Sequence, residues 1–284
     1  MQYHVNGELV DDADATVSVR DRGFQYGDAA FETIRAYGGQ TFAWAAHEKR
    51  LDATCEALDI DHGLSGSDLR SRVHETLAAN DLSDAYVRLS VSRGVQSGRL
   101  APDDDADPTV VVVVESLPRG GVDGERVWNA PVTARTVDVQ RVPDECIPSV
   151  AKTHNYLGGV LARIDAGDAD EALLVDAEGR VTEGASSNVF FVADGVLRTP
   201  SLDLPVLPGI TRWAVIQLAE DVGIPVEEGH YTPADLHDAD EVFFTNTTWE
   251  VRPVARLDDA SYSTCKVGAG LARAFAEEVQ RRHY

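Results

Sequence analysis

The feature that most constrains the fold of this chain of 284 residues is its alternation between strand patterns and helix patterns. Strand patterns repeat apolar residues at every second position, whereas helix patterns repeat them every three or four positions. Both recur along the whole chain, and turn dipeptides separate them, among them Asn6-Gly7, Glu178-Gly179 and Asp194-Gly195. The alternation predicts an α+β fold.

The same patterns predict individual elements. Strands are expected on both sides of Asn6-Gly7, at 29–37 and 40–44, in AYVRLSVSRG and TVVVVVESL, within 126–142, and between 171 and 200. Helices are expected in HEKRLDATCEALDI, in SDLRSRVHETLAAND with Ser67 as the N-cap, in YLGGVLARIDAGDAD and in ITRWAVIQLAEDVG. The stretch EVFFTNTTWEVRPV is expected to form a strand that leads into a turn.

The segment LPRGGVDGE at 117–125 is the best candidate for a linker, because it combines proline with several glycines. A chain of this length accommodates two domains of ordinary size. We therefore expect a smaller domain at 1–120 and a larger one at 126–284.

Composition predicts a protein of the cytoplasm. Hydrophobic residues make up 43% of the chain, enough for a substantial core. The longest apolar run, Val110–Val114, is far shorter than the roughly 20 residues of a membrane-spanning helix. The start of the chain, MQYHVNGELVDDADATV, has neither the basic nor the apolar region of a signal peptide.

The net charge of −23 argues against nucleic acid as a partner, since nucleic-acid binders neutralise phosphates with basic patches. The acidic residues are spread along the chain instead of forming a tail, and lysine is scarce. This composition resembles that of proteins from salt-loving archaea, in which high salt screens the repulsion between carboxylates. We therefore expect a halophilic protein.

We expect no metal site. Cys55, Cys146 and Cys265 lie far apart in the sequence, with no CxxC or CxxH pattern among them. The eight histidines include no HExxH motif.

Lys152 is one of only three lysines, the others being Lys49 and Lys266, whereas arginine accounts for the other basic residues. A lysine that must lose its proton cannot be replaced by arginine, since a guanidinium does not deprotonate in a protein. Lys152 in SVAKTHNYLGG is therefore a candidate nucleophilic amine. The alternative is an ordinary lysine at the edge of the core, with its charged end in water.

Three further stretches carry candidate polar groups. Glu183 in TEGASSNVFF precedes an apolar strand, and LPGITRWAVIQ begins a helix whose free N–H groups suit a phosphate. The stretch FFTNTTWEVRPV ends a strand in hydroxyl side chains that could bind the same anion. Taken singly, Glu183 is better explained as a solvated carboxylate in a turn, and LPGITRWAVIQ fits an ordinary capped helix.

Together and in this order they resemble the fold-type IV family of pyridoxal-phosphate enzymes. That family holds branched-chain aminotransferases, D-amino-acid aminotransferases and 4-amino-4-deoxychorismate lyase. The resemblance covers almost the whole chain, through VSVRDRGFQYGDAAFETIRAYGG, HEKRL, KTHNYLGGVLAR, VTEGASSNVF, LPGITR and TNTTWEVRPV. It implies two α/β domains of the D-amino-acid aminotransferase-like architecture with a cofactor cleft between them, pyridoxal 5'-phosphate as cofactor, and a homodimer.

The resemblance also implies roles for residues at the cofactor. Lys152 is expected to form a Schiff base and to shuttle a proton, and Glu183 to pair with the pyridine nitrogen. Tyr156 matches a tyrosine that contacts the ring hydroxyl, although its distance from the lysine is that of the D-amino-acid enzymes and the lyase. The remaining expected cofactor ligands are Arg50, Ser187, Asn188, Ile210, Thr211, Thr247 and Thr248.

On the substrate side, Tyr26, Phe31 and Arg35 resemble the YG…FEGIR pattern of branched-chain aminotransferases. Arg88 resembles the arginine of that group's AYIR motif. Arg99 falls where D-amino-acid aminotransferases carry a carboxylate-binding arginine, but the histidine that accompanies it there is absent.

Thr33 matches a threonine of the lyases, where its hydroxyl is thought to assist proton transfer; it also suits a strand because it is β-branched. Two reactions therefore compete. We favour transamination between an amino acid and a 2-oxo acid, and the alternative is elimination of pyruvate to give 4-aminobenzoate. A third possibility is an acidic binding protein without catalysis, which should lack Lys152 or Glu183, and both are present.

Overall fold

The computed structural model describes residues 1–103, 107–119 and 128–284. They form two compact units. Unit 1 contains Met1–Pro118, Val150–Asn155 and His283–Tyr284, and unit 2 contains Arg119–Ser149 and Tyr156–Arg282. Helices and sheets occur in both units, so the chain has the predicted α+β fold. Residues 120–125 of the predicted linker lie outside the described residues.

Unit 1 is built on a six-stranded antiparallel sheet. Its elements are β1 (Gln2–Val5), β2 (Glu8–Asp11), α1 (Arg22–Tyr26), β3 (Ala29–Tyr37), β4 (Gln40–Thr41), α2 (Trp44–Leu58), α3 (Gly66–Ala79), β5 (Ala85–Ser92) and β6 (Thr109–Ser116). The strand order is β2-β1-β6-β5-β3-β4. The predicted hairpin is confirmed, because Val5 pairs with Glu8 across Asn6-Gly7.

Two local predictions in unit 1 are wrong. Ser65, not Ser67, is the N-cap of α3, because its hydroxyl accepts a hydrogen bond from the backbone N–H of Asp68 in a capping box. The strand predicted at 40–44 ends at Thr41, since Ala43 takes a left-handed conformation and α2 begins at Trp44.

The two faces of the unit 1 sheet differ. One face packs against α2 and α3, where Ile34 and Val87 of the sheet lie in one core cluster with Leu69 of α3. Side chains alternate across a strand, so the neighbours of these core residues point to the opposite face. That second face carries four residues predicted for the substrate side: Phe31, Thr33, Arg35 and Arg88.

The segment Val150–Asn155 belongs to unit 1, although the sequence analysis assigns it to the domain at 126–284. Its extended backbone lies alongside β3. The N–H of Phe31 donates to the carbonyl of Lys152, and the N–H of His154 donates to that of Ala29, each over 2.9 Å. This pairing uses backbone groups, so it requires no periodic pattern of apolar residues in the segment. Its position beside β3 could therefore not be predicted from the sequence.

Unit 2 contains a nine-stranded mixed sheet among the described residues. Its elements are β7 (Val132–Thr136), α4 (Leu157–Asp165), β8 (Glu171–Val175), β9 (Val181–Gly184), β10 (Asn188–Ala193), β11 (Val196–Pro200), α5 (Ile210–Asp221), β12 (Val226–Gly229), α6 (Pro233–His237), β13 (Glu241–Asn246), β14 (Glu250–Leu257), β15 (Ala260–Ser261) and α7 (Lys266–His283). The order is β12-β11-β10-β13-β14-β7-β8-β9, and β15 pairs with β14.

Aromatic residues form the centre of the unit 2 core. The rings of Phe190 and Phe243 stack with their centroids 5.2 Å apart, and Val215 of α5 and Leu271 of α7 pack in the same cluster. Within the described ranges, every helix is too short or too polar to cross a lipid bilayer.

Candidate active site

The side chain of Lys152 is buried in unit 1, with 9% of its surface exposed. Its amine nitrogen lies 4.4 Å from the ring centroid of Phe31. Its backbone N–H donates to the hydroxyl of Thr54 over 3.0 Å, and its carbonyl accepts from Phe31. The main chain is therefore held by α2 and β3, and the burial contrasts with a lysine whose charged end reaches water.

Arg50 lies on the buried face of α2, where it forms a bidentate ion pair with Glu32. Its Nε and Nη2 atoms are 2.8 and 2.6 Å from the two carboxylate oxygens, and His47 Nδ1 lies 2.7 Å from the same carboxylate. Burial alone would raise the pKa of Glu32, yet Arg50 and His47 hold it at about 2. The orientation of the Arg50 guanidinium is thus set by a buried carboxylate.

Glu32 and His47 are not among the residues predicted from the sequence. The available signals were the spacing of three between His47 and Arg50, which puts both on one helical face, and the alternation of β3, which turns Glu32 toward that face.

On the second face of the unit 1 sheet, the structure brings Phe31, Thr33 and Arg88 together. The guanidinium carbon of Arg88 lies 3.8 Å from the ring centroid of Phe31, and Thr33 pairs with Arg88 across β3 and β5. Arg35 is engaged elsewhere, because its Nη2 donates to the carbonyls of Leu117 and Pro118.

His154 is also part of this face. Its ring packs edge-on against Phe31 with centroids 5.5 Å apart, and its Nε2 is 3.2 Å from the hydroxyl of Ser90. Burial, and then the charge of Arg88, lower the pKa of His154 to about 4, so the ring is neutral at pH 7. Arg88, Ser90 and His154 line a cavity of about 410 Å³ within unit 1.

Tyr26 and Arg99 lie in a network at the edge of unit 1. The hydroxyl of Tyr26 donates to the carbonyl of Gly98 over 2.8 Å. Arg22, which sequence analysis did not identify, donates to the carbonyls of Arg99 and Leu100 over 2.6 and 2.9 Å and pairs with Asp28 at 2.7 Å. The network fixes the backbone of Arg99 and leaves its side chain exposed.

In unit 2, Glu183 is held by three groups. Its carboxylate is 2.9 Å from Nε of Arg141, accepts from the backbone N–H of Leu207 over 3.0 Å, and lies 3.4 Å from the amide nitrogen of Asn188. Sequence analysis did not identify Arg141, because nothing in the sequence links it to Glu183. Arg141 thus places a positive charge beside this buried carboxylate.

The N-terminus of α5 is open to an anion. Gly209 occupies the N-cap position, so no side chain caps the helix and the first N–H groups, at Ile210 and Thr211, suit an anionic group. A Cβ atom at Gly209 would overlap with the amide oxygen of Asn188. A larger residue at position 209 would therefore require the Asn188 side chain to move.

Beside Asn188, β13 contributes hydroxyl groups. Thr245 pairs with Asn188 across the sheet, and its buried hydroxyl oxygen has no hydrogen-bond partner within the described part of the chain. An unpaired buried hydroxyl is costly, so a bound polar group would satisfy it.

The next turn, which carries Thr247, is fixed by Asn246. Its side-chain oxygen accepts from the N–H and the hydroxyl of Thr248 over 3.0 and 3.1 Å, and its amide donates to the carbonyl of Ser186 over 3.3 Å. Tyr156 also belongs to unit 2, where it occupies the N-cap position of α4 and is 37% exposed.

The predicted residues are thus divided between the two units. Unit 1 holds Tyr26, Phe31, Thr33, Arg35, Arg50, Arg88, Arg99 and Lys152, and unit 2 holds Tyr156, Glu183, Ser187, Asn188, Ile210, Thr211, Thr247 and Thr248. The carboxylate of Glu183 suits a protonated ring nitrogen, and the uncapped α5 with the unpaired hydroxyl of Thr245 suits a phosphate. These unit 2 residues therefore fit the charges of pyridoxal 5'-phosphate.

The chain is similar to known proteins over nearly its full length. The family model described as amino-transferase class IV matches residues 29–257. A putative branched-chain-amino-acid aminotransferase of Methanocaldococcus jannaschii is 42% identical over 271 residues, covering 94% of this chain and 92% of that protein. A D-alanine aminotransferase of Listeria monocytogenes is 37% identical over 289 residues, covering 99% of this chain and 97% of that protein.

Solved structures of an aminotransferase and of a lyase are also similar to this chain. A branched-chain aminotransferase from Thermoproteus uzoniensis with norvaline has a TM-score of 0.88 at 30% identity, covering 99% of this chain and 94% of that one. A 4-amino-4-deoxychorismate lyase from Pseudomonas aeruginosa has a TM-score of 0.84 at 30% identity, covering 99% of this chain and 100% of that one. The similar proteins thus include both aminotransferases and a lyase.

Proposed function

This chain belongs to the class IV aminotransferase family, and on that premise we propose that it is an aminotransferase dependent on pyridoxal 5'-phosphate, which transfers the amino group of an amino acid to a 2-oxo acid. The observation that carries the proposal is the buried amine of Lys152, 4.4 Å from the ring centroid of Phe31. The amine is buried and its main chain is held by hydrogen bonds. Such an amine is suited to form a covalent bond with a cofactor and to transfer protons in every catalytic cycle.

The residues of the chain have the following proposed roles in the reaction. When bound, the cofactor supplies an electron-withdrawing ring that stabilises negative charge on the substrate. Nζ of Lys152 would hold the cofactor, and once the amino substrate has taken its place the freed amine would move a proton from Cα of the substrate to C4′ of the cofactor. Glu183, held by Arg141, keeps a negative charge beside the ring nitrogen.

Arg50, Ile210, Thr211, Thr247 and Thr248 are the proposed phosphate ligands. The support for Arg50 is the buried Glu32, which orients its guanidinium. The support for Ile210 and Thr211 is the uncapped helix start at Gly209. Ser187, Asn188 and Tyr156 are proposed as further cofactor ligands.

The substrate is proposed to meet the second face of the unit 1 sheet. Arg88 lies over Phe31 there and is the cation best suited to a substrate carboxylate. Thr33 and Arg35 lie on the same strand, while Tyr26 and Arg99 border the network around Arg22.

We further propose a homodimer in the cytoplasm of a halophilic cell. In unit 1, Phe24 and Leu100 are 73% and 79% exposed. In unit 2, α4 exposes an apolar stripe of Leu157, Val160, Leu161 and Ile164. Apolar stripes of this kind are favourable when a second copy covers them.

A paired assay in high salt tests the reaction. L-Leucine and D-alanine are offered with 2-oxoglutarate, and aminodeoxychorismate is offered alone. We expect glutamate from at least one amino donor, and we expect its formation to be abolished by Lys152→Ala. The matched control is Lys266→Ala, which removes an exposed lysine at the start of α7 and should leave the rate unchanged. Amino transfer that survives Lys152→Ala refutes the proposed role.

The second candidate function is the lyase reaction. Thr33 favours it, because its strand position puts the hydroxyl on the same sheet face as Phe31, over which the Lys152 amine lies. Release of pyruvate and 4-aminobenzoate without amino transfer would establish this function instead. In that case Thr33→Val should slow elimination, whereas Thr33→Ser should retain most of it.

A further inference from the structure

Glu171 is a buried acid for which the proposed reaction has no use. It begins β8 and has no exposed surface. One carboxyl oxygen accepts from the backbone N–H of Ala172 over 2.9 Å. The other accepts from the hydroxyls of Ser187 and Ser186 over 2.8 and 3.1 Å. These contacts are all neutral, and no basic side chain hydrogen-bonds to Glu171 among the described residues.

A buried carboxyl group without a counter-ion favours its neutral form. Burial raises the pKa of Glu171, and the hydrogen bonds together with the charge of Arg163 do not offset this. The charge of Arg252, on β14, also interacts with that of Glu171. The guanidinium of Arg252, however, forms an ion pair with Asp170.

Glu171 supports a tight turn, Gly184–Ser187, that joins β9 to β10. The N–H of Gly184 donates to the carbonyl of Ser187 over 2.6 Å, and the N–H of Ala185 donates to that of Ala172 over 3.0 Å. A Cβ atom at Gly184 would overlap with the Ser187 hydroxyl and lie 3.1 Å from the carboxyl carbon of Glu171. The turn is therefore packed directly on this acid.

Polar groups of the candidate site flank the turn on both sides. Glu183 precedes it and Asn188 follows it, and the amide of Asn188 lies 3.4 Å from the Glu183 carboxylate. The carbonyl of Ser186 accepts a hydrogen bond from the side-chain amide of Asn246. Asn246 begins the turn that carries Thr247 and Thr248. A shift of Gly184–Ser187 would therefore displace several proposed cofactor ligands together.

We propose that Glu171 is a positioning residue, a neutral acid that fixes the Gly184–Ser187 turn through two serine hydroxyls and thereby sets the positions of Glu183 and Asn188. The inference rests on the proposed binding of pyridoxal 5'-phosphate by these residues.

The test compares Glu171→Gln with Glu171→Leu. Glutamine is neutral, has the same shape and keeps an acceptor oxygen, whereas leucine removes both acceptors. The affinity for pyridoxal 5'-phosphate is measured by titrating cofactor-free protein in high salt. We expect Glu171→Gln to bind within about twofold of the wild type and Glu171→Leu to bind about tenfold more weakly, the effect of losing a buried hydrogen-bond partner.

Glu241→Leu is the matched control. Glu241 is also a buried acid on a strand of unit 2, and it accepts from the N–H groups of Lys266, Val267 and Gly268 at the start of α7. We expect this variant to lose stability but to keep cofactor affinity within about twofold. An equal loss of affinity in Glu241→Leu, or a loss in Glu171→Gln as large as in Glu171→Leu, would overturn the proposal.

Hydrogen exchange in the cofactor-free protein provides a readout independent of the cofactor. Glu171→Leu should accelerate exchange at the amides of Gly184 and Ala185, and Glu171→Gln should not. Unchanged exchange in Glu171→Leu overturns the proposal. Failure of the wild type to bind the cofactor would instead refute the proposed function, and exchange would still decide whether Glu171 holds the turn.

A second variant covers the case in which Glu171→Leu does not fold. The double substitution Ser186→Ala and Ser187→Ala removes the hydroxyls through which Glu171 acts. In the cofactor-free protein it should accelerate exchange at the amides of Gly184 and Ala185, and adding Glu171→Gln to it should change little further. Wild-type exchange in the double variant contradicts the proposal.

Discussion

The guanidinium of Arg141 lies 2.9 Å from the carboxylate of Glu183. Arg141 follows β7 and Glu183 lies within β9, so the pair joins two parts of unit 2 that no local pattern relates. The same nitrogen of Arg141 donates to the carbonyl of Pro205 over 3.1 Å, which fixes its position. Arg141 therefore stabilises a negative charge where the proposed cofactor needs one.

Arg141→Met should weaken binding of pyridoxal 5'-phosphate by at least about tenfold, because Glu183 loses its ion pair with Arg141. Arg141→Lys keeps a positive charge and should retain more of the affinity. Titration of the cofactor-free variants measures both effects. Equal affinity in the wild type and Arg141→Met would show that this pair is not needed for the cofactor.

The buried Glu32 should make stability depend on pH in the acid range. Its folded-state pKa of about 2 lies below the ordinary value of 4.5. Its contribution is therefore complete above about pH 4.5 and is lost as the pH falls toward 2. The shift corresponds to about 3 kcal/mol. The free energy of unfolding of the wild type should exceed that of Glu32→Gln near neutral pH, and the difference should shrink below pH 4.5. A difference that does not vary with pH would contradict this expectation.

Arg22→Lys should disturb the segment that carries Arg99. The lysine loses the forked contacts to the carbonyls of Arg99 and Leu100. We expect faster hydrogen exchange at 98–100 and a value of kcat/KM about tenfold lower, mostly through KM. Arg20→Lys is the control, since Arg20 makes a single bond to the carbonyl of Gln96 in the same region. A uniform loss of kcat in both variants would argue for a general effect on folding.

Gly209→Ala should be destabilising and should weaken phosphate binding, because its Cβ atom overlaps with the buried Asn188. A cost of about 1–3 kcal/mol is typical for overpacking of this kind. Gly270→Ala is the matched control: it lies within α7 with open space around it and should stabilise by about 0.5–1 kcal/mol. Thermal unfolding and cofactor titration of both variants check the pair, and a neutral Gly209→Ala would show that Asn188 moves away freely.

Local patterns in the sequence determined much of the secondary structure. The hairpin at Asn6-Gly7 and the helix α5 follow from neighbouring residues alone, since turn geometry and helical periodicity are short-range properties. The N-cap at Ser65 was missed because three serine or aspartate residues nearby suit a cap, and only the backbone geometry selects one. The helix α7 was not assigned.

The sequence alone also predicted the class of chemistry, because Lys152 and Glu183 lie in motifs that resemble those of the family to which the chain belongs. Their partners were decided only by the tertiary structure. Glu32 is 18 residues from Arg50 and Glu171 is 16 residues from Ser187, and each pair meets because separate strands and helices pack together. Motifs specify which chemical groups are present. The folded arrangement determines which of the charged groups form ion pairs, which buried acid has no counter-ion, and where a neighbouring side chain leaves no room for a Cβ atom.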